Sequence, residues 1–444
     1  MPTLICISPE SISAHYAVLD HIGNLGPGKG FLRAGWSDEE SAAMQYIEQA
    51  ALAAGLLSRR DGVGNLVIET PGQFTEWVET GSHMDTVPGG GNYDGAAGVV
   101  AGLEAIIAVY CANLPLQRGL RLRVWRCEES STFGVVSAGA RAAFGMLPPS
   151  ALDNMYRGKT LAEAIIAQGG DPASISRRAA TIAATERENI AAHIELHIEQ
   201  GSVLESGGFD LGVVTGIRGS MRSWVRLFGA FDHSGATPMG TEWRKDVNLA
   251  MAYMQVRLDT LATDAIVAGR DIVQTIGVVN SNREFNETET ILYDNAVSKV
   301  SGFGYFSHEV RGCFPAEVRN FVREAHRIIR QTADEFGINA GIEEFSAVNG
   351  IFRLDEGLQH LLSACCKQHE VSYTGLPSGA WHDVAVLHDQ LRNDGSKVPT
   401  GLLFVPCRGG VSHSPEEYTS PEQLALGATV LSEAMAELAA RSQA

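Results

Sequence analysis

The chain contains 444 residues, of which 45% are hydrophobic and 19% are charged, so it is an ordinary globular protein long enough for two hydrophobic cores. Its formal net charge of −18 argues against nucleic acid as a partner, because phosphate binding requires a basic surface. No apolar run is long enough to span a membrane, no signal peptide is evident, and the seven cysteines lack CxxC spacing. These features predict a cytoplasmic protein with reduced thiols and no membrane partner.

Helix and strand patterns alternate in the first part of the chain. A capped helix is predicted over residues 36–55, with Ser37 as the N-cap and Glu40 three residues later. Two strands are predicted next, at residues 64–69 and 76–81. A helix is predicted at residues 96–110 and a further strand at 120–127. This alternation predicts an α/β domain with a mixed, mostly parallel sheet, whose functional side chains lie where strands end.

The pattern changes after residue 214. Strands and helices are predicted in the order β-α-β-β-α-β, at residues 220–231, 242–262, 271–279, 300–310, 315–336 and 339–345. This order is typical of a ferredoxin-like α+β domain inserted into the first domain. We therefore expect a catalytic domain formed by residues 1–214 and 348–444, and an inserted domain formed by residues 215–347. One sheet edge of the inserted domain would lack a partner strand, which predicts a homodimer through this domain.

Carboxylates and histidines cluster near two predicted strand ends. His83 and Asp85 lie on one side of an extended segment, so Asp85 can hydrogen-bond the far ring nitrogen of a metal-bound His83. Asp94 follows on a glycine-rich turn that permits close approach to a metal. Glu128 and Glu129 end a buried strand, where two adjacent carboxylates are costly unless one binds metal and the other transfers protons. The alternative, a polar loop in which Asp94 caps a helix, leaves this glutamate pair unexplained.

Residues 192–199 contain two histidines that are candidates for a further ligand. His193 and His197 are four residues apart, a spacing that would place both on one face of a helix. The segment also alternates polar and apolar residues, which suits a strand as well as a helix. The spacing therefore leaves both histidines open, and it does not decide between His382 and His413 either.

Several longer sequence blocks are spread over nearly the whole chain. Two are particularly specific, His-Ile-Glu-Gln-Gly at 197–201 and His-Ser-Gly-Ala-Thr-Pro-Met at 233–239. The others are found at residues 30–33 with Trp36, 61–65, 81–88, 93–95, 128–129, 378–383 and 410–417. Together they resemble the metal-dependent amidohydrolases of the M20 peptidase clan, in the branch of N-carbamoyl-L-amino acid hydrolases, β-ureidopropionases and allantoate amidohydrolases.

The resemblance implies two divalent metal ions per subunit, either zinc or manganese or cobalt. His83, Asp94 and His197 would hold one metal, and Asp94 would bridge to a second metal held by Glu129 and His413. The catalytic group would be Glu128, acting as general base on a water that bridges the metals.

The resemblance also implies roles around the substrate. His233 would stabilise the oxyanion, and Gln200 would orient the amide. His382 would lie on the substrate side of the metals, and Arg311 would bind the substrate carboxylate. Because His233 and Arg311 belong to the inserted domain, that domain would serve as a lid as well as a dimerisation surface.

The departures from the family pattern concern the substrate. Residues 130–132 replace the usual Gly-Ser-Arg, Ser298 replaces an asparagine that normally touches substrate, and Trp381 replaces a glycine. An insertion is predicted near residues 282–294. The resemblance implies hydrolysis of an N-carbamoyl amino acid, with allantoate or an N-acyl amino acid as the alternative substrate. A non-catalytic binding protein is disfavoured because every ligand and Glu128 are present, and a peptide-cleaving relative is disfavoured by the two specific blocks.

Overall fold

The computed structural model describes residues 5–281 and 296–441. The chain forms two compact units, unit 1 from Met1–Thr215 with Leu354–Ala444 and unit 2 from Gly216–Arg353. The insertion predicted near residues 282–294 lies outside the described residues. None of the described helices is both long and apolar enough to cross a membrane.

Strands and helices alternate along the described chain. The strands are β1 Leu57–Arg60, β2 Leu66–Glu69, β3 Trp77–His83, β4 Gly119–Trp125, β5 Met155–Tyr156, β6 Lys159–Thr160, β7 Ile190–Ile198, β8 Leu211–Ile217, β9 Gly219–Phe228, β10 Asp232–His233, β11 Val273–Thr275, β12 Val279–Asn280, β13 Lys299–Val300, β14 Phe303–Gly312, β15 Asn339–Val348, β16 Tyr373–Ser378 and β17 Thr400–Val405. The α-helices are α1 Pro9–Leu19, α2 Asp38–Ala53, α3 Ala96–Cys111, α4 Ala138–Ala143, α5 Leu161–Ala167, α6 Ala173–Ser176, α7 Ala184–Glu188, α8 Val203–Gly207, α9 Val247–Val267, α10 Pro315–Glu335, α11 Glu356–Gln368, α12 Val384–His388 and α13 Pro421–Ala440. Short 3-10 turns occur at Pro149–Asp153 and Arg408–Gly410.

Unit 1 is built on a mixed sheet with the strand order β1-β2-β4-β3-β7-β17-β8-β16. The central strands β4, β3, β7 and β17 pair in parallel with one another, whereas β1 and β2 pair antiparallel, as do β2 with β4 and β8 with β17. The predicted α/β class with a mixed sheet is therefore confirmed. Because the central strands are parallel, their carboxyl ends lie at one edge of the sheet, where His83 ends β3 and Ile198 ends β7.

Helix α3 packs closely against the centre of this sheet. It is buried around much of its circumference, with Val99, Leu103 and Ile106 in the core. The closest approach is at Gly98, where a Cβ atom would overlap the carbonyl oxygen of Leu196 on β7. This approach fixes the first turn of α3, which begins directly after the Asp94–Gly95 dipeptide.

Local sequence signals predict several of these elements. The Ser37 hydroxyl accepts a hydrogen bond of 3.1 Å from the Glu40 amide at the start of α2, so the predicted N-cap is confirmed. The segments predicted as strands near 64–69, 76–81 and 120–127 form β2, β3 and β4. Strand β4 ends at Trp125, so the glutamate pair lies in the loop after the strand rather than at its last residues.

Unit 2 contains an antiparallel sheet in the order β11-β14-β9-β15, with β12 also paired to β14. Helices α9 and α10 contribute Met254 and Phe321 to a core with Val225 and Phe306 from the sheet. Side chains along β14 alternate between buried and partly exposed, as expected for a sheet covered on one face. This strand order and the helix placement are those of a ferredoxin-like module.

The start of helix α9 differs from the sequence prediction. The helix was expected over residues 242–262, but it runs from Val247 to Val267, and Asp246 is its N-cap. The Arg244 guanidinium donates hydrogen bonds to the carbonyl oxygens of Ser234 (2.7 Å) and Thr237 (2.8 Å). These bonds hold the preceding residues in an irregular turn, so tertiary contacts override their helical pattern.

The close packing of α3 predicts that Gly98→Ala destabilises unit 1. The new methyl group meets a backbone carbonyl that cannot move aside, so we expect a loss of about 1–3 kcal/mol in the free energy of unfolding, as for other overpacked cores. Gly102→Ala, one turn later, is the matched control, because its methyl group would meet the Thr80 methyl and a Leu122 methyl, at 2.9 and 3.0 Å. Urea denaturation should show the larger loss for Gly98→Ala; equal losses would contradict this account.

Candidate metal centre and active site

Two strand ends and a glycine-rich loop bring the first group of donors together. His83 ends β3, His197 lies near the end of β7, and Asp94 precedes α3. The Asp94 Oδ1 atom is 3.1 Å from His197 Nε2 and 3.5 Å from His83 Nε2. All three side chains are buried, and one donor atom from each lies within 4.8 Å of the others, which is a geometry that can hold a metal ion.

A second group of donors shares the Asp94 carboxylate. The other oxygen of Asp94 is 3.2 Å from His413 Nε2, which is also 3.2 Å from Glu129 Oε1. Donor atoms of Asp94, Glu129 and His413 again lie within 4.8 Å of one another. The structure thus brings the five predicted metal ligands into two adjoining groups with one carboxylate in common.

The charges at this centre depend on one another. Burial disfavours a charged Asp94, but hydrogen bonds from His197, His413 and His83 outweigh it and hold the pKa of Asp94 well below its usual value. Hydrogen bonds to Asp94 and Glu129 raise the pKa of His413 to about 10. Contacts with carboxylates also raise the pKa of His83 and His197, so protons and divalent cations would compete for these imidazoles, because metal ligands must be deprotonated.

Asp85 connects the first donor group to the glutamate pair. Its carboxylate accepts hydrogen bonds from the amides of Glu128 (2.9 Å) and Glu129 (3.0 Å), and Oδ1 is 3.2 Å from His83 Nδ1. Asp85 is fully buried, so these bonds are not exchanged with solvent. This single carboxylate orients one histidine and places both glutamates.

Glu128 has the environment of a proton carrier. It is buried, and the Ser137 hydroxyl donates a hydrogen bond of 3.1 Å to Oε1. Burial raises the pKa of Glu128 well above its usual value, and repulsion from Glu129 adds to this effect, although His83 opposes it. A carboxyl group with a raised pKa can both accept and return a proton near neutral pH.

The similarity of this chain to known proteins extends over nearly its whole length. A family model described as peptidase family M20/M25/M40 matches residues 80–437. The chain belongs to this family. It is 31% identical to the N-carbamoyl-L-amino acid amidohydrolase of Geobacillus stearothermophilus, covering 95% of this chain and 97% of that protein. It is also 31% identical to the allantoate amidohydrolase of Escherichia coli strain K12, covering 93% and 94%.

A solved structure gives the same result for the fold. The crystal structure of a hydantoinase/carbamoylase family amidase from Burkholderia ambifaria matches this chain with a TM-score of 0.84 at 26% identity, covering 100% of both chains. The predicted resemblance to the M20 clan is therefore confirmed. As a member of the M20/M25/M40 family, the chain is a hydrolase.

Glu417, which no sequence pattern indicated, links the loop that carries Asp94 to the loop that carries His413 in this M20 enzyme. Glu417 Oε1 accepts hydrogen bonds from the amides of Tyr93 (3.0 Å) and Asp94 (2.9 Å). Its Oε2 accepts from the Ser412 hydroxyl (2.8 Å) and the His413 amide (3.3 Å). Glu417 is buried whereas the adjacent Glu416 is exposed, a difference that nothing in the Glu-Glu pair itself indicates.

A second buried glutamate holds the loop that carries Glu128. Besides its place in the α2 cap, Glu40 accepts hydrogen bonds from the amides of Trp36 (2.7 Å) and Cys127 (2.9 Å) and from the Arg126 guanidinium (2.6 Å). Cys127 adopts a left-handed backbone conformation with φ 53°. Gln200 and His413 are also left-handed, at φ 55°, so three of the nine left-handed non-glycine residues in the described chain lie at or next to the centre.

Gln200 and His382 both lie beside the donor groups in unit 1. The Gln200 amide nitrogen donates to Asp94 Oδ2 at 2.7 Å, while its carbonyl oxygen is buried without a hydrogen-bond partner among the described residues. The His382 ring is 4.5 Å from the His197 ring, and its Nε2 is 2.8 Å from the Ser378 hydroxyl. Burial, reinforced by His197, lowers the pKa of His382 well below its usual value, so this imidazole is neutral.

The other predicted substrate residues lie in unit 2. His233 is exposed on β10, and its Nδ1 accepts hydrogen bonds of 3.1 Å from the amides of Gly235 and Ala236. Ser298 lies beside it, because its carbonyl oxygen accepts from the Ser234 amide at 2.9 Å. Arg311 is on β14 and pairs with Glu309 at 3.1 Å, so the structure groups His233 with Ser298 and places Arg311 on another strand.

The structure separates the two histidines that sequence spacing left open. Residues 190–198 form strand β7, so both side chains point to the same face of the sheet. His193 is buried in mid-sheet, 3.7 Å from Glu79, which Arg121 and Arg123 also bind. His193 belongs to neither donor group around Asp94.

The bonds of Glu417 predict that Glu417→Gln weakens metal binding. The substitution replaces one carboxylate oxygen by an amide nitrogen, which cannot accept hydrogen bonds. Either the loop that carries Asp94 or the loop that carries His413 therefore loses its hydrogen bonds to residue 417. We expect metal affinity to fall roughly 10- to 100-fold, as for other residues that orient metal ligands. Competition with a chelating dye measures this affinity. Glu416→Gln is the matched control, and equal effects of the two substitutions would rule out the anchoring role.

Proposed function

We propose that this chain hydrolyses the carbamoyl group of an N-carbamoyl-L-amino acid, which yields the free amino acid, carbon dioxide and ammonia. The observation that carries the proposal is the Asp94 carboxylate shared between two donor groups, in a chain 31% identical to an N-carbamoyl-L-amino acid amidohydrolase. Two divalent metal ions, zinc or manganese or cobalt, would be held by His83, Asp94 and His197 and by Asp94, Glu129 and His413.

The donor set fits such ions. Imidazole nitrogens and carboxylate oxygens converge within 4.8 Å in each group, and this mixed set suits zinc, manganese or cobalt. When bound, the metals supply Lewis-acid activation of the carbonyl group and of water. Asp85 at His83 and Glu417 at Asp94 and His413 are the orienting partners that metal ligands normally have.

The side chains around the donors provide the remaining chemistry. Glu128 would take a proton from the attacking water and return it to the leaving nitrogen, a task that suits its raised pKa. The unpartnered carbonyl oxygen of Gln200 would accept a hydrogen bond from the ureido nitrogen. His382, held neutral by burial, would contact the substrate next to the donor groups without adding charge.

We assign unit 2 the role of lid and dimerisation domain. Arg311 would bind the substrate carboxylate through its guanidinium fork. His233 would stabilise the oxyanion through Nε2, since Nδ1 is occupied by backbone amides. Ser298, next to His233, would contact the substrate. As a lid, unit 2 would exclude water from the donor groups, and as a dimerisation domain it would pair with its copy in a homodimer.

Allantoate hydrolysis is the second candidate, because the chain is equally similar to an allantoate amidohydrolase. The chemistry at the ureido carbon is the same, so the substrate must decide. Ammonia release from N-carbamoyl amino acids and allantoate, and acetate release from N-acetyl amino acids, measured with the metal-loaded enzyme, distinguish these functions. Turnover confined to the N-acetyl compounds would replace the proposal with an aminoacylase.

The role of Glu128 predicts that Glu128→Gln loses turnover and keeps its metals. General acid–base catalysis contributes roughly 10²- to 10⁴-fold, so we expect kcat to fall by that factor. Glu129→Gln is the matched control on the adjacent residue, since it should lose bound metal as well. Steady-state kinetics together with elemental analysis measure both effects. A Glu128→Gln enzyme with full activity would exclude this general base.

Metal removal gives a further prediction. Dialysis against a chelator should abolish activity and lower the melting temperature, because bound metal stabilises the folded state by about 2.7 kcal/mol at a concentration 100-fold above Kd. Adding zinc, manganese or cobalt should restore both properties. Full activity in protein shown by elemental analysis to be metal-free would contradict the proposed mechanism.

A further inference from the structure

Arg141 of unit 1 is a half-buried cation that has no ion-pair partner among the described residues. It lies on α4, and its Nε donates a hydrogen bond of 3.0 Å to the carbonyl oxygen of Val136. Among the described residues, no carboxylate forms an ion pair with its guanidinium, and the terminal nitrogens have no hydrogen-bond partner. Charged side chains that leave water are normally paired, so this half-buried arginine has donors available for an anion from outside the chain.

Arg141 is close to the proposed general base. Helix α4 begins directly after Ser137, whose hydroxyl binds Glu128 at 3.1 Å. Burial lowers the pKa of Arg141, while the charges of Asp389, Glu128 and Asp383 act in the opposite direction. These carboxylates reduce the cost of burying the guanidinium, but none of them occupies its donors.

The ring of Trp381 contacts the Arg141 guanidinium. Its ring centroid is 5.9 Å from Arg141 Cζ, within the range of a cation–π contact, which orients the guanidinium without using its N–H groups. The indole Nε1 of Trp381 is itself buried with no hydrogen-bond partner among the described residues. The next residue is His382, whose ring contacts His197. Trp381 thus presents a buried, unpaired donor beside a half-buried guanidinium, and it directly precedes a residue that contacts the donor groups.

We propose that Arg141 and Trp381 form an anion-binding subsite, and that the preferred substrates are N-carbamoyl amino acids with a carboxylate side chain. This inference rests on the proposed function and names the substrate class within it. A guanidinium can bind a carboxylate through two parallel hydrogen bonds, and a partly dry site strengthens them. Arg141 would bind the carboxylate of the substrate side chain. The tryptophan that replaces the family glycine is then a specificity residue.

The experiment compares isosteric substrates that differ only in charge. For the zinc-loaded enzyme, kcat/KM is measured with N-carbamoyl-L-glutamate and N-carbamoyl-L-glutamine. We expect the acid to be preferred by roughly 10- to 100-fold, the range for a hydrogen-bonded charge pair. Arg141→Gln should remove most of that preference, Arg141→Lys should keep part of it, and Trp381→Phe should reduce it.

Two control variants separate the subsite from other effects of charge. Arg60 lies on edge strand β1 and pairs with Glu48. Arg60→Gln removes one positive charge there and should keep the preference for the acid. Asp389→Asn removes an exposed carboxylate whose charge acts on Arg141, and it should keep the preference as well. If Asp389→Asn lowered the preference as much as Arg141→Gln, the pair would be structural and the subsite would be refuted.

The outcomes distinguish this inference from the proposed function. Equal kcat/KM values for the acid and the amide in the wild type would refute the subsite and leave carbamoyl hydrolysis standing. If no carbamoyl compound releases ammonia, the proposed function fails, and calorimetric binding of the same two compounds tests the subsite alone. Tighter binding of the acid that depends on Arg141 would support it, and equal binding would refute it.

Discussion

The Asp94 carboxylate divides its two oxygens between two groups of donors, and much of unit 1 serves to keep that charge buried in place. Hydrogen bonds from imidazoles outweigh the cost of burial, so Asp94 stays ionised. The parallel strands β3 and β7 bring His83 and His197 to one oxygen, and the loop after β17 brings His413 to the other. The close approach of α3 at Gly98 then fixes the turn from which Asp94 projects.

Buried carboxylates also hold the loops around this centre. Backbone amides that follow the ends of strands have no neighbouring strand to bind, and they must be satisfied in some other way. Asp85, Glu417 and Glu40 each accept hydrogen bonds from two or more loop amides, and each therefore fixes a segment that carries ligands or the proposed general base. The left-handed conformations of Cys127 and His413 can persist because Glu40 and Glu417 bind the amides of these two residues.

Sequence patterns predicted the elements more completely than the contacts between them. Strand ends and glycine-rich turns were enough to predict that His83, Asp94 and the glutamate pair would meet, because parallel strands place their ends at one edge. They could not separate His193 from His197, since both share a face of β7 and only strand register shows that His193 lies opposite Glu79. Glu417 was missed because three of its four partners are backbone amides, which leave no trace in residue type. The start of α9 was wrong because contacts made by Arg244 lie outside any local window.

The carboxylate of Glu417 accepts a hydrogen bond from an amide 323 residues earlier in the chain, at Asp94. The first segment of unit 1 ends at Thr215 and the second begins at Leu354, so the whole of unit 2 lies between Asp94 and Glu417 in the sequence. During synthesis from the amino terminus, a chain that has completed β7 and even all of unit 2 still lacks His413 and Glu417. The second donor group can therefore assemble only after residue 417 has been translated, and a chain that stalls before this point would lack the group that shares Asp94 with His83 and His197.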